Sequence, residues 1–156
     1  MNIKDITIDT APYNWAKILE DWYWILPKEF DVWLLTKFGD IFCHLPDDSV
    51  HWLDTGTGKL TKIAETKEAF FQMADDPKNV DHWFLPELIS SLKSRGVVLS
   101  PTECYSFTLP PGLGGKYEAD NIKPCDVAVH FAISGQVFFQ IKDAPDGTKI
   151  RFTTIK

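Results

Sequence analysis

The chain has 156 residues, 44% of them apolar, 24% charged and 13% aromatic, with a formal net charge of −6. That length and apolar share suit one folded domain spanning residues 1–156 and exclude a disordered segment. The charge is uneven: residues 1–58 carry ten Asp or Glu against four Lys or Arg, and residues 59–156 carry twelve against twelve. An acidic face repels nucleic acid and draws basic partners. Basic residues form no cluster, which disfavours direct nucleic-acid binding. Three cysteines (Cys43, Cys104, Cys125), no CxxC and no basic-then-apolar leader point to a reducing cytoplasm. No apolar run approaches the length a membrane span needs.

In chain order, Ile3, Ile6 and Ile8 suggest a short edge strand or arm. Trp15, Ile18, Leu19 and Trp22 then follow helical spacing behind a candidate cap, Asn14. Pro27 would end that helix and open a second one, with Phe30, Trp33, Leu34 and Phe38 on its stripe and Gly39 closing it. Three strands follow, Asp40–Leu45, Ser49–Asp54 and Lys59–Ala64, joined by Pro46-Asp47-Asp48 and Thr55-Gly56-Thr57-Gly58 as an antiparallel meander. Thr66 caps a helix holding Phe70 and Met73 and ending near Pro77. Leu85, Leu88, Ile89 and Leu92 make a further helix, with Pro86 near its start and Gly96 behind it. Val97–Leu99 reads as a brief strand.

The stretch from Tyr105 to Lys142 has three alternating patterns: Tyr105, Phe107 and Leu109; Val127, Val129 and Phe131; and Val137, Phe139 and Ile141. Each reads as a strand. A glycine-dense loop, Pro110–Gly115, separates the first two. After a turn at Pro145-Asp146-Gly147 the chain reads as a last strand, Thr148–Ile155. The class is α+β, an antiparallel sheet of about six strands packed by helices on one side.

No catalytic constellation stands out. The TGTGK segment lacks phosphate-loop spacing and leads into a strand. Cys43, His44 and His51 on neighbouring strands lack the tight spacing of a zinc site, so no metal and no cofactor are expected. A thiol nucleophile would pair Cys104 or Cys125 with His130. A second possibility, a small-ligand or enzymatic site, would use His130 with Tyr117 and Gln136 near the glycine loop. The acidic residues Glu20, Asp21, Glu29, Asp31, Asp47, Asp48 and Asp54 make a candidate patch for a basic protein surface, with Trp22, Trp24 and Trp33 as candidate anchors.

Gly114, Gly115, Tyr117 and Asn121, then His130, Gly135 and Gln136, then the Lys142–Pro145–Gly147-Thr148 turn form a pattern. It resembles the C-terminal domain of type VI secretion immunity proteins of the Tdi type, often placed behind a GAD-like domain that is absent here. The Val50–Leu60 hairpin and Leu26–Phe30 extend the resemblance over about 22–150. Leu26–Phe30 also gives a weaker similarity to the Smi/Knr-like (SUKH) immunity superfamily. The resemblance implies a non-enzymatic protein that binds and neutralises a cognate toxin, for several relatives a DNase, by covering its active site. It implies structural roles for Gly114, Gly115, Tyr117, Asn121, His130, Gly135 and Gln136.

Overall fold

The computed structural model describes residues 2–149. Five strands, β1 (Thr7–Ile8), β2 (Asp31–Thr36), β3 (Ile41–His44), β4 (Val50–Asp54) and β5 (Lys59–Ala64), form one antiparallel sheet in sequence order. A separate antiparallel pair is made by β6 (Glu103–Phe107) and β7 (Ile122–Asp126). Tyr105 N–H donates to the Lys37 carbonyl at 2.8 Å, tying β6 to the turn between β2 and β3. The helices are α1 (Trp15–Ile18), α2 (Lys67–Ala74), α3 (Pro77–Phe84), α4 (Pro86–Ser94) and α5 (Val127–Ile141), with a 3-10 turn at Glu20–Trp22. The α+β class stands. The strands divide into five and two.

Helices cover both faces of the larger sheet rather than one. On one face Phe42 and Trp52 pack against Phe70 of α2, Trp83 and Phe84 of α3, and Ile89 and Leu92 of α4. On the other, Leu35, Ile41, Cys43 and Leu53 meet Leu19, Trp22 and the α5 residues Val127, Phe131 and Phe138. Alternating strand residues thus feed two cores.

That double burial explains the first correction. Residues 31–36 are strand β2, not part of a second helix. A strand apolar on both faces loses its period of two and reads as a continuous run. A bulge between Val32 and Leu34 shifts the register as well, leaving Trp33 and Leu34 in the first core and Val32 and Leu35 in the second. Gly39 does sit in a left-handed conformation (φ 74°), but in the β2–β3 turn.

The second correction is larger. The two strands expected over residues 127–141 are one helix, α5. Its buried positions, Val127, His130, Phe131, Gly135 and Phe138, follow helical spacing. Alternating β-branched and aromatic residues suggest strands there. The local signal for a helix is Asp126, whose carboxylate caps α5 by accepting from Val129 N–H at 3.2 Å.

Smaller differences follow the same logic. Asp75-Asp76-Pro77 ends α2 as expected, but it also starts α3: Asp76 caps Lys78 N–H and Pro77 takes the first helical position. Val97–Leu99 carries no strand, and β7 takes up residues read as loop. The Pro145–Thr148 turn forms, with Thr148 N–H on the Pro145 carbonyl at 3.1 Å. The strand expected over 148–155 does not begin at 148–149, and its remainder lies outside the described residues.

Candidate functional site

The sequence marked two sets of residues, one acidic and one patterned around glycines, and they occupy different parts of the fold. The acidic residues do not make one patch. Glu29 and Asp31, before and at the start of β2, share a shallow depression with His44, Leu45 and Pro46. Asp47 and Asp48 continue from it in the β3–β4 turn. His44 Nε2 lies 3.4 Å from an Asp48 carboxylate oxygen. Glu29, Asp31, Asp47 and Asp48 are all exposed, so four carboxylates gather at one end of the sheet.

Asp54 is at the other end of β4, about 13 Å away at the usual rise per strand residue. It is a turn residue, accepting from Gly56 N–H at 3.0 Å and from the Thr57 hydroxyl at 2.8 Å. Asp47 also has a local task, holding Ser49 N–H and hydroxyl, and those bonds keep its carboxyl below the usual range. Glu20 and Asp21 lie apart from both groups, on the 3-10 turn against α5.

The tryptophans separate as well. Trp22 is fully buried, its indole N–H donating to the Phe131 carbonyl at 2.9 Å, so it is a core residue and no contact anchor. Trp24 stacks on it with ring centres 5.6 Å apart and remains half-buried. Trp33 lies across the sheet, edge-on to Phe70 and Phe71, with the Lys67 ammonium 5.1 Å above its ring.

His130 is the centre of a closed polar cluster rather than a ligand site. It faces inward from the first turn of α5 and is 6% exposed. Its Nε2 lies 3.0 Å from the Gly39 carbonyl and 2.9 Å from the Thr55 hydroxyl, and its Nδ1 lies 3.0 Å from the Ser106 hydroxyl. A carbonyl only accepts, so Nε2 carries the proton and Ser106 donates to a bare Nδ1. Burial drives the imidazole down to about 4, against a smaller upward pull from the Gly39 carbonyl. Beside it, fully buried Asp40 accepts from Thr55 N–H at 3.0 Å and from the Thr55 hydroxyl at 2.9 Å. Burial, and then the charge of Asp54, push the Asp40 carboxyl well above its ordinary value, outweighing the Thr55 bonds and the Trp52 indole nearby.

Tyr117 and Gln136 are not partners of this ring; both are exposed, Tyr117 edge-on to Phe107. The expected ligand site of His130, Tyr117 and Gln136 does not assemble. Cys104 is buried beside Gly39 and burial raises its thiol well above the ordinary value, so it holds no ready thiolate for rapid turnover with His130. Among the described residues no group of three or more His, Cys, Asp or Glu is placed to hold a metal ion. No helix among them is long and apolar enough to cross a membrane.

Gly115 and Gly135 sit at tight backbone crossings, while Gly114 takes a left-handed conformation (φ 95°) in open space. A Cβ on Gly115 would overlap the Leu109 carbonyl, and one on Gly135 would stand 2.6 Å from the Asp21 carbonyl oxygen. Asn121 closes the glycine loop like a clasp. Its Oδ1 accepts from Leu109 N–H, and its Nδ2 donates to the Leu109 and Lys116 carbonyls, all at 2.9 Å. Asn121→Ala removes three such bonds and is expected to cost about 1–3 kcal/mol, read as a lower urea midpoint. An unchanged midpoint would show that the loop closes without the clasp.

Residues 64–137 match the family model described as T6SS immunity protein Tdi1, C-terminal. Over that stretch the chain resembles the Tdi-type immunity domain. The match runs from the end of β5 through most of α5 and contains Gly114, Gly115, Tyr117, Asn121, His130, Gly135 and Gln136. It is narrower than the span of about 22–150 expected from sequence. The Val50–Leu60 hairpin, the Lys142–Thr148 turn and Leu26–Phe30, which is not helical, lie outside it. Among solved structures, the crystal structure of Atu4351 from Agrobacterium tumefaciens aligns with a TM-score of 0.46 and 18% identity, over 78% of this chain and 60% of that one. No curated protein matches the chain.

Proposed function

We propose that this protein is a type VI secretion immunity protein, residues 1–156 acting as one domain, that binds a cognate antibacterial toxin in the cytoplasm and covers its active site. The family match over residues 64–137 carries the reading. Two features of the molecule support it: the buried cluster at His130 presents nothing to a small ligand, and at one sheet end four exposed carboxylates, Glu29, Asp31, Asp47 and Asp48, outnumber the nearby Lys28 and Lys62. The toxin we infer is a nuclease. A nuclease cleft is basic because it must hold phosphates, so an inhibitor with clustered carboxylates offers it a competing negative surface. The inhibition is steric and electrostatic and needs no bond chemistry from the immunity protein.

Of the acidic residues, Glu29, Asp31, Asp47 and Asp48 are the set we place against the toxin; Glu20, Asp21 and the half-buried Trp24 lie apart from it and are a second candidate contact. Asp54 and Trp22 are left out because the first holds a turn and the second is core. The test is titration calorimetry of the purified protein against its cognate toxin, at low and high salt, with a triple charge reversal of Glu29→Lys, Asp31→Lys and Asp48→Lys. Asp47 is spared because its turn bonds would confound the result. The wild type should bind and weaken with salt. The reversal should lose about tenfold or more in affinity, chiefly through association rate, while its unfolding midpoint stays near wild type. No binding by the wild type at any salt overturns the immunity reading. Equal binding by the reversal removes the acidic end from the interface and leaves the immunity reading standing.

A further inference from the structure

Cys104 and Cys125 face each other across the β6–β7 pair. Their place in the ladder follows from their neighbours. The Tyr105 N–H points away from β7 to the Lys37 carbonyl, and its partner Pro124 has no N–H. Tyr105 and Pro124 are therefore a non-hydrogen-bonded pair, and Cys104 and Cys125, one step along, are a hydrogen-bonded one. The bonds from Val127 N–H to the Thr102 carbonyl and from Thr108 N–H to the Asn121 carbonyl continue the same alternation. In such a pair the Cα atoms stand about 5.5 Å apart with both side chains on one face, inside the roughly 4.4–6.8 Å that a disulfide spans. All three cysteines are free thiols. Cys104 is sealed in the core, while Cys125 is only half-buried and can be reached from solvent.

We propose that Cys125 is an oxidation site and Cys104 its resolving thiol, together forming a reversible cross-strand disulfide when the protein meets a hydroperoxide. The Cys125 sulfur attacks one peroxide oxygen; the O–O bond breaks, giving a sulfenic acid and, for hydrogen peroxide, water. The Cys104 sulfur then attacks the Cys125 sulfur. The S–S bond forms, the S–O bond breaks, and the departing hydroxide takes the Cys104 proton as a second water. Two thiols and one hydrogen peroxide thus give one disulfide and two waters, with two electrons passing from sulfur to peroxide. The bond staples the base of the excursion that carries the glycine loop, where the strands are already hydrogen-bonded. Burial raises both thiols, and for Cys125 the Lys123 charge partly offsets this. The reaction is therefore slow at neutral pH and quickens as pH rises. Transient, oxidant-driven pairing is the kind of disulfide that forms in a reducing compartment.

The test treats the reduced, native full chain with hydrogen peroxide, blocks remaining thiols and maps the peptides. Cys104 and Cys125 should appear linked, with intact mass lower by about 2 Da for the two lost hydrogens, and dithiothreitol should restore them. Buried Cys43 should stay reduced. With Cys125→Ser, Cys104 should stay reduced at the same dose. With Cys104→Ser, Cys125 should hold a sulfenic acid that dimedone traps. Three intact thiols in the wild type, or a Cys125 that gains oxygen while Cys104 stays reduced, overturns the proposal, and neither result depends on a variant that folds.

Discussion

Trp22→Ala should destabilise the protein by about 3–5 kcal/mol, the range for deleting a large buried aromatic side chain. The residue has no exposed surface. It fills the space between the 3-10 turn and α5, in contact range of Trp24 at 5.6 Å and Phe138 at 6.2 Å between ring centres. It is also a polar link: its indole N–H meets the Phe131 carbonyl across 109 residues of chain. Truncation therefore opens a cavity and removes a long-range bond together. Since a domain of this size has only about 5–15 kcal/mol in total, the variant should approach the edge of folding. Trp22→Phe retains most of the apolar contact and should lose less. Urea unfolding of the three proteins checks the ranking. If Trp22→Ala kept its unfolding midpoint and lost toxin affinity instead, the assignment of Trp22 to the core would be wrong.

What made Trp22 look like an anchor was its company, since acidic residues surround it in sequence. A tryptophan in a core and one on a contact surface look the same along the chain. The difference is whether a partner element arrives to cover it, and here α5 comes from more than 100 residues away. The parts of the fold that were legible are those whose signals are local. Thr66 caps α2 through Ala69 N–H, Gly58 takes a left-handed turn, and the two meander turns fall where the Pro, Asp and Gly residues stand. Strand β2 and helix α5 were misread because tertiary burial, not local propensity, decides their type. In the site, the exposed carboxylates could be named individually. Bringing Glu29 and Asp31 to the same end as Asp47 and Asp48 required knowing the register of β2 and β3, which sets Asp31 opposite His44. The contacts of His130 were not legible at all, for Gly39, Thr55 and Ser106 are brought to it by three separate elements.

That closed cluster sets the second large effect, an opposed pair of pH dependences. An unfolded histidine titrates near 6.5, and His130 in the fold titrates at about 4. Between those values the unfolded chain takes up a proton that the folded chain refuses, so this group lowers stability as pH falls, by roughly 3 kcal/mol once below both. Half-exposed His51 is lowered too and acts in the same direction. Asp40 has the opposite sign. Its unfolded carboxyl titrates near 3.9 and its folded one well above, so the folded chain keeps a proton that the unfolded chain has released. Stability from this group falls as pH rises from about 4 towards its folded value. From about pH 4 upward the two slopes oppose each other for as long as the folded Asp40 keeps its proton. Above 6.5 the imidazole is neutral in both states and contributes no further slope. Urea midpoints between pH 4.5 and 6.5 should therefore rise less steeply with pH in the wild type than in a chain without the Asp40 carboxyl. Asp40→Asn should leave the histidine slope alone, so its stability rises from pH 4.5 to 6.5 and then levels. His130→Asn should leave the carboxyl slope alone and decline as pH rises from about 4 towards the folded Asp40 value. Each variant loses absolute stability through disturbed hydrogen bonds, which is why the sign of the slope is the quantity to compare. If Asp40→Asn followed the wild-type curve, Asp40 would have to be ionised in the fold, its charge held by the Thr55 N–H and hydroxyl against the cost of burial.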